Sequence, residues 1–175
     1  MIGVEMNLES KLKEVSNGTK EIFMLYYEEG DLLSGKYDII CHQVNCQGVM
    51  GAGLAKQIKY KYPEVFDDYV EFCVEDAPLG TSAITQLNNG KLCISMFAQD
   101  KYGRDRCYTD YVAFDNCLNM IALYIQTHHL SSETTIAFPY KIGCGLAGGD
   151  WEIIKWLLND FSERVKCKVI IVNKI

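Results

Sequence analysis

Residues 37–62, YDIICHQVNCQGVMGAGLAKQIKYKY, change character twice. Tyr37 to Val44 is a short, mostly apolar run, the pattern of a strand buried on both faces. Asn45 to Gly53 carries glycines at 48, 51 and 53, and Leu54 to Tyr62 has helix-forming residues with Lys56, Lys59 and Lys61. Strand, glycine loop and helix therefore follow one another, and Pro63 opens a second helix over Glu64 to Val74. The same order recurs later in the chain. Thr134 to Pro139 (TTIAFP) reads as a strand, Lys141 to Gly149 (KIGCGLAGG) as a loop and Asp150 to Phe161 as an amphipathic helix, before a closing strand at Lys168 to Val172. Between these units, Thr81 to Leu87 and Leu92 to Ala98 flank Asn88-Asn89-Gly90-Lys91, whose Asn-Gly pair suits a tight hairpin turn. Thr109 to Gln126 has Val112, Asn116, Met120 and Leu123 at helical spacing. Helices alternating with buried strands make the class α/β, a mixed central sheet with helices on both faces.

Upstream, Glu21 to Tyr27 (EIFMLYY) reads as a strand. Residues 1–20 stand apart as an N-terminal extension. Leu8, Leu12 and Val15 recur at helical spacing, Glu9 and Lys13 form an i,i+4 pair, and Ser16-Asn17-Gly18 ends the pattern, so a short docked helix is expected there. Residues 21–175 form the main domain. At 175 residues and 19.8 kDa the chain suits one core, which buries roughly 70% of the surface its unfolded form exposes. With 49% hydrophobic and 23% charged residues and 3 prolines, it is neither a disordered nor a collagen-like chain.

A net charge of −6 gives no overall field to gather a polyanion, so a small ligand is the expected partner and nucleic acid is not. No apolar run approaches the roughly 18 to 20 residues needed to cross a bilayer, and the N-terminus has no apolar signal core. No membrane partner, a cytoplasmic location and a monomer are expected. The cysteines at 41, 46, 73, 93, 107, 117, 144 and 167 contain no C-x-x-C pair and several sit in apolar runs, so they are expected to be reduced thiols. Neither their spacing nor the adjacent His128 and His129 resembles a zinc site, and no metal or cofactor is implied.

The candidate chemistry lies in the two glycine loops. Glycine lets backbone N–H groups turn toward a ligand, and a following helix N-terminus adds partial positive charge, so two such loops suit a diphosphate. The plain alternative is that the glycines only permit tight turns. Neither G-x-G-x-x-G in the first loop nor G-x-x-x-x-G-K-[ST] anywhere supports a dinucleotide fingerprint or a P-loop. His42 lies near the end of its strand, where open α/β sheets bind ligands, although a histidine among apolar residues is more often a hydrogen-bonded core residue. Asp150, before Trp151-Glu152, reads first as a helix cap. Asp31 is either an acceptor for a base amine or a turn residue. Gln99 to Arg106 mixes charge with Tyr102 and reads as a solvated turn more readily than as a cover over a sugar.

Taken in order, three pieces resemble the macro domain, the ADP-ribose-binding module, over nearly the whole chain. They are Glu29-Gly30-Asp31-Leu32, the run from His42 to Ala55, and the run from Phe138 to Trp151. The resemblance implies a three-layer α/β/α fold and an ADP-ribose derivative as ligand. It implies that Asp31 meets the adenine amine with Leu32 beside it, and that Asn45 meets the distal ribose. Gly51, Ala52, Gly53 and Leu54 would wrap the diphosphate and that ribose together with Ile142, Gly143, Cys144, Gly145, Leu146 and Ala147, with Tyr102 from the middle segment. The His-x-x-Asn-Cys-x-Gly form is similar to the ADP-ribose-1''-phosphate phosphatase branch, which implies a catalytic part for His42, as nucleophile or as base for water, with Asn45 or Asp150 positioning the other participant. The first loop lacks the acidic residue of the mono-ADP-ribosyl hydrolases. Ala147 stands where the glutamate-specific branch has an aspartate, although Lys101 matches that branch's lysine. The expected function is hydrolysis of a distal-ribose substituent, most of all the 1''-phosphate. The alternatives are a noncatalytic reader of ADP-ribose and an ADP-ribosyl hydrolase acting on protein or nucleic acid.

Overall fold

The computed structural model describes residues 12–14, 20–22, 25–74 and 79–175. Its centre is a six-stranded sheet of β3 (Leu25–Glu29), β4 (Ile39–Asn45), β5 (Ser82–Gln86), β6 (Leu92–Gln99), β7 (Thr135–Pro139) and β8 (Lys168–Asn173), in the order β3-β8-β7-β4-β6-β5. All neighbours run parallel except β5, which returns antiparallel to β6. That hairpin closes at Asn88 to Lys91, with Gly90 at φ +80° and the Leu87 N–H on the Lys91 carbonyl at 2.8 Å.

Period-two alternation in β4 supplies a core on each face. Ile39 and Cys41 join the core under α3 (Tyr111–Thr127) and α4 (Trp151–Arg164), built from Phe114, Leu118, Ile121, Leu158 and Phe161. Ile40 and Val44 join the opposite core, under α1 (Gly53–Lys61) and α2 (Pro63–Val74), built from Ile58, Val65 and Tyr69. Three α/β/α layers result, as expected. The strands themselves are apolar on both faces because both are covered. Asp110 and Asp150 cap α3 and α4 by accepting the Ala113 and Glu152 N–H groups at 2.9 and 2.8 Å.

The N-terminal expectation needs correction. Leu12–Glu14 is a strand, β1, paired antiparallel with β2 (Lys20–Ile22) in a separate two-stranded sheet. Cross-strand pairing has overridden a helical spacing that rested on three apolar residues. The rest of the expected helix lies outside the described residues. The single strand expected over Glu21 to Tyr27 is also divided, since Lys20–Ile22 pairs with β1 while Leu25–Glu29 pairs with β8.

Because β3, β4, β6, β7 and β8 are parallel, their C-terminal ends share one edge of the sheet, and the following loops converge there. Phe161 is fully buried in the α3/α4 core, so Phe161→Ala is expected to cost about 3–5 kcal/mol. Val112 on the same layer is 73% exposed, and Val112→Ala is expected to stay within about 0.5 kcal/mol of wild type. Urea midpoints at constant m-value check the pair.

Candidate functional site

The converging loops enclose a cleft of about 630 Å³. Its walls are the first glycine loop with the start of α1, the second glycine loop, and Tyr102, Gly103 and Arg104 from the middle segment. The middle segment is therefore part of the cleft wall, not only a solvated turn.

The first loop is shaped from behind by Asn45 and Tyr69. Opposite the step from Val44 to Asn45, β6 carries one extra residue, Ala98, and the Asn45 side chain reaches Tyr69 on the α1/α2 side of the sheet. There its amide Nδ2 donates to the Val49 carbonyl at 2.7 Å and its Oδ1 accepts the Gln47 N–H at 2.9 Å. The fully buried Tyr69 hydroxyl accepts the Val49 N–H at 2.9 Å and offers its proton to the backbone carbonyl and Oδ1 of Asn45, each at 2.8 Å. With the back of the loop satisfied, its front opens on the cleft. Ala52, the N-cap of α1, makes no side-chain cap and no acidic residue stands in the first turn, so the helix's first N–H groups, at Gly53, Leu54 and Ala55 in the cleft wall, are available to an anion.

The second loop is anchored in the same way. The Gly143 carbonyl accepts the Thr109 hydroxyl at 2.7 Å and the Gly149 N–H at 2.9 Å. The Ala147 carbonyl accepts the N–H groups of Tyr108 and Thr109 at 2.7 and 3.3 Å, which ties the middle segment to this loop. Gly143 sits at φ +73°, and a Cβ there would come within 2.5 Å of Gln43 Oε1, so the position requires glycine.

His42 is the fourth residue of the seven in β4, and its ring is 1% exposed. Nε2 lies 2.9 Å from the Ser95 hydroxyl on β6, while Nδ1 is buried with no partner among the described residues. Burial lowers its pKa from 6.5 to about 3, so the ring is neutral at physiological pH. The expected strand-end catalyst is thus an uncharged group sunk in the floor, and it still contributes to the cleft lining.

Gly51, Ala52, Gly53, Leu54, Tyr102, Ile142, Gly143, Gly145, Leu146 and Ala147 line the cleft with Asn45. Four residues of the expected set do not. Asp150 is held as the α4 cap, with its N–H on the Tyr111 hydroxyl at 2.8 Å, which places its carboxylate off the cleft. Cys144 packs against the α3/α4 core, and burial pushes its thiol up to about 11. Leu32 is buried in the α1/α2 core, and the exposed Asp31 accepts the Leu33 N–H at 2.9 Å in a local turn. Lys101 is likewise absent from the lining, whereas Arg104 and Lys141 are in it. No Asp or Glu lines the cleft among the described residues. Nor do three His, Cys, Asp or Glu side chains gather among those residues as a metal site requires. No helix among them is long and apolar enough to cross a membrane.

Residue-level reading of the sequence missed Gln43, Gln99, Thr109 and Tyr69. The one available signal was Gln43, an amide inside an otherwise apolar strand.

A family model described as Macro domain matches residues 41–155. The chain is 32% identical over 136 residues to a DNA ADP-ribosyl glycohydrolase of Mycobacterium tuberculosis, covering 75% of this chain but only 37% of that protein. It is 29% identical over 173 residues to an ADP-ribose 1''-phosphate phosphatase of Meyerozyma guilliermondii, covering 83% of this chain and 98% of that protein. Among solved structures, the macrodomain of Mycobacterium tuberculosis DarG aligns with a TM-score of 0.74 at 26% identity, over 86% of this chain and 97% of that one.

The buried ring fixes an acid dependence of stability. Between pH 6.5 and about 3 the unfolded chain binds a proton that the native His42 refuses, so stability falls with pH through that window. From pH 6.5 to 5.5 wild type is expected to lose about 1 kcal/mol more than His42→Leu, as measured by urea unfolding at both values. Tyr69→Phe removes the nearer acceptor of the Val49 N–H, leaving it Asn45 Oδ1 at 3.4 Å, and is expected to cost roughly 1–3 kcal/mol by the same measurement.

Proposed function

Because the chain belongs to the macro domain family, we propose that its cleft binds an ADP-ribose derivative and hydrolyses a substituent from the distal ribose, the 1''-phosphate foremost. The observation that carries this reading is the pairing of two anchored glycine loops across one cleft, with the uncapped start of α1 in its wall. Such a wall presents backbone N–H groups to a diphosphate without charged side chains of its own, and Arg104 and Lys141 add positive charge at the same cleft. Similarity to an ADP-ribose 1''-phosphate phosphatase, 29% identical over 173 residues, supports a free small-molecule substrate. A cytoplasmic monomer is part of the same reading.

In this reaction water adds its oxygen to phosphorus, the bond from phosphorus to the ribose 1'' oxygen breaks, and that oxygen leaves as the hydroxyl of ADP-ribose with inorganic phosphate as the second product. The α1 N–H groups and the second loop hold the phosphate oxygens as charge shifts among them. His42 acts as a neutral imidazole through Nδ1, because Nε2 is engaged by Ser95 and the ring does not ionise near pH 7. Its titration accordingly adds no acid limb to the rate between pH 5 and 8.

One observation favours a noncatalytic reader as the second reading: no carboxylate lines the cleft among the described residues to serve as a general acid or base. The two are separated by incubating wild type and His42→Ala with ADP-ribose-1''-phosphate, following phosphate by phosphorus NMR and titrating ADP-ribose by calorimetry. The enzyme reading expects turnover to fall roughly 100-fold or more in His42→Ala, with ADP-ribose affinity kept. Binding without release by wild type makes the protein a reader. Undiminished turnover in the variant leaves His42 a core residue.

A further inference from the structure

Gln43 lies one residue past His42 in β4 and belongs to the cleft lining. Its amide is oriented by a directed chain of hydrogen bonds. Gln99 Nε2 donates to the Lys101 carbonyl at 3.0 Å, so Gln99 Oε1 is left to accept, and it takes Gln43 Nε2 at 2.9 Å. The same Nε2 donates at 2.9 Å to the Thr109 hydroxyl, whose own proton goes to the Gly143 carbonyl. Both amide protons of Gln43 are thereby assigned, and reversing the amide would break the contact with Gln99. The carbonyl Oε1 is consequently fixed on the side of Gly143, buried, with no partner among the described residues.

A buried amide oxygen without a donor carries a desolvation cost that the protein does not offset internally. The absence of a side chain at Gly143 keeps that oxygen uncrowded, since a Cβ would stand 2.5 Å from it. From these observations we infer that Gln43 is a specificity-determining residue of the cleft, its carbonyl accepting a hydrogen bond from a hydroxyl of the ligand's distal sugar. The inference rests on the nucleotide-binding reading above and deepens it. An acceptor at this point takes a hydroxyl and repels the oxygens of a phosphate, so it distinguishes sugar from phosphate within one ligand. Its position selects which sugar. β3, whose end leads to Asp31, borders the sheet, whereas Gln43 and Gln99 stand on β4 and β6 at the other side. With adenine on the β3 side of the cleft, as the nucleotide reading has it although Asp31 itself is not in the lining, and the diphosphate at the start of α1, Gln43 faces the sugar beyond the diphosphate.

The test uses ADP-ribose and ADP, which differ by the distal ribose, titrated by calorimetry into wild type, Gln43→Met and Thr109→Val. Methionine keeps the length of the side chain without an acceptor, while Thr109→Val cuts the chain of hydrogen bonds and retains the Gln43 carbonyl. Gln43→Met is expected to weaken ADP-ribose by roughly 5- to 30-fold while ADP changes less than about 2-fold. Thr109→Val is expected to weaken the two ligands by the same factor, because it acts through the loop. Equal losses for both ligands in Gln43→Met, or no loss for either, overturn the assignment of Gln43 alone. Failure of wild type to bind either nucleotide overturns the nucleotide reading and the assignment with it.

Discussion

Parallel pairing of β4 with both β6 and β7 is the constraint on which the rest of the molecule depends. It brings Asn45, Gln99 and Pro139 to one edge of the sheet, so the three loops that follow meet although they are far apart in the chain. Parallel strands leave the connecting chain to cross a face, and the helices that do so bury the sheet on both sides. The interior can then be apolar while the edge remains polar and open. Binding backbone is gathered where the sheet ends, and the packing that supports it lies behind.

The glycine loops present peptide groups to the cleft only because other groups satisfy their backs. Asn45 and Tyr69 do this for the first loop, and Thr109, Gly149 and the middle segment do it for the second. These are side-chain and backbone bonds with little exposure to water, where a hydrogen bond is electrostatically strong and an unmade one is expensive. Rigidity behind the loops preorganises N–H groups in front of them, and preorganisation is what lets fixed dipoles stabilise charge without reorganising first. The same economy explains the aromatic content of α2, whose Tyr69 stacks on Phe97 at 5.6 Å while its hydroxyl serves the loop.

Electrostatically the cleft is cationic and neutral where the chain as a whole is acidic. Arg104 and Lys141 line it, no carboxylate does so among the described residues, and the histidine in its floor is kept neutral by burial. Positive side chains at the cleft favour an anion there although the net charge of the chain is −6.

Much of this was legible in the sequence. Apolar runs bounded by glycine and asparagine mark strands, the Asn89-Gly90 pair marks the hairpin, and Asp150 begins a helix because its carboxylate accepts an N–H group two residues on. All of these are local interactions, and a local interaction is written in neighbouring letters. What tertiary structure alone decided was the use of individual side chains. His42 is a buried neutral ring because Ser95 and the α1/α2 layer, not its own neighbours in the chain, surround it, and that partner is 53 residues away. Asn45 serves the loop together with Tyr69, 24 residues away, and Gln43 is oriented by Gln99 and Thr109, 56 and 66 residues distant. At the N-terminus Leu12–Glu14 became a strand by finding Lys20–Ile22, against a weak helical spacing. Composition and periodicity thus determined the layers and the loops that bind, whereas polarity, protonation and direction within the cleft depend on contacts across the sheet, which exist only once the chain is folded.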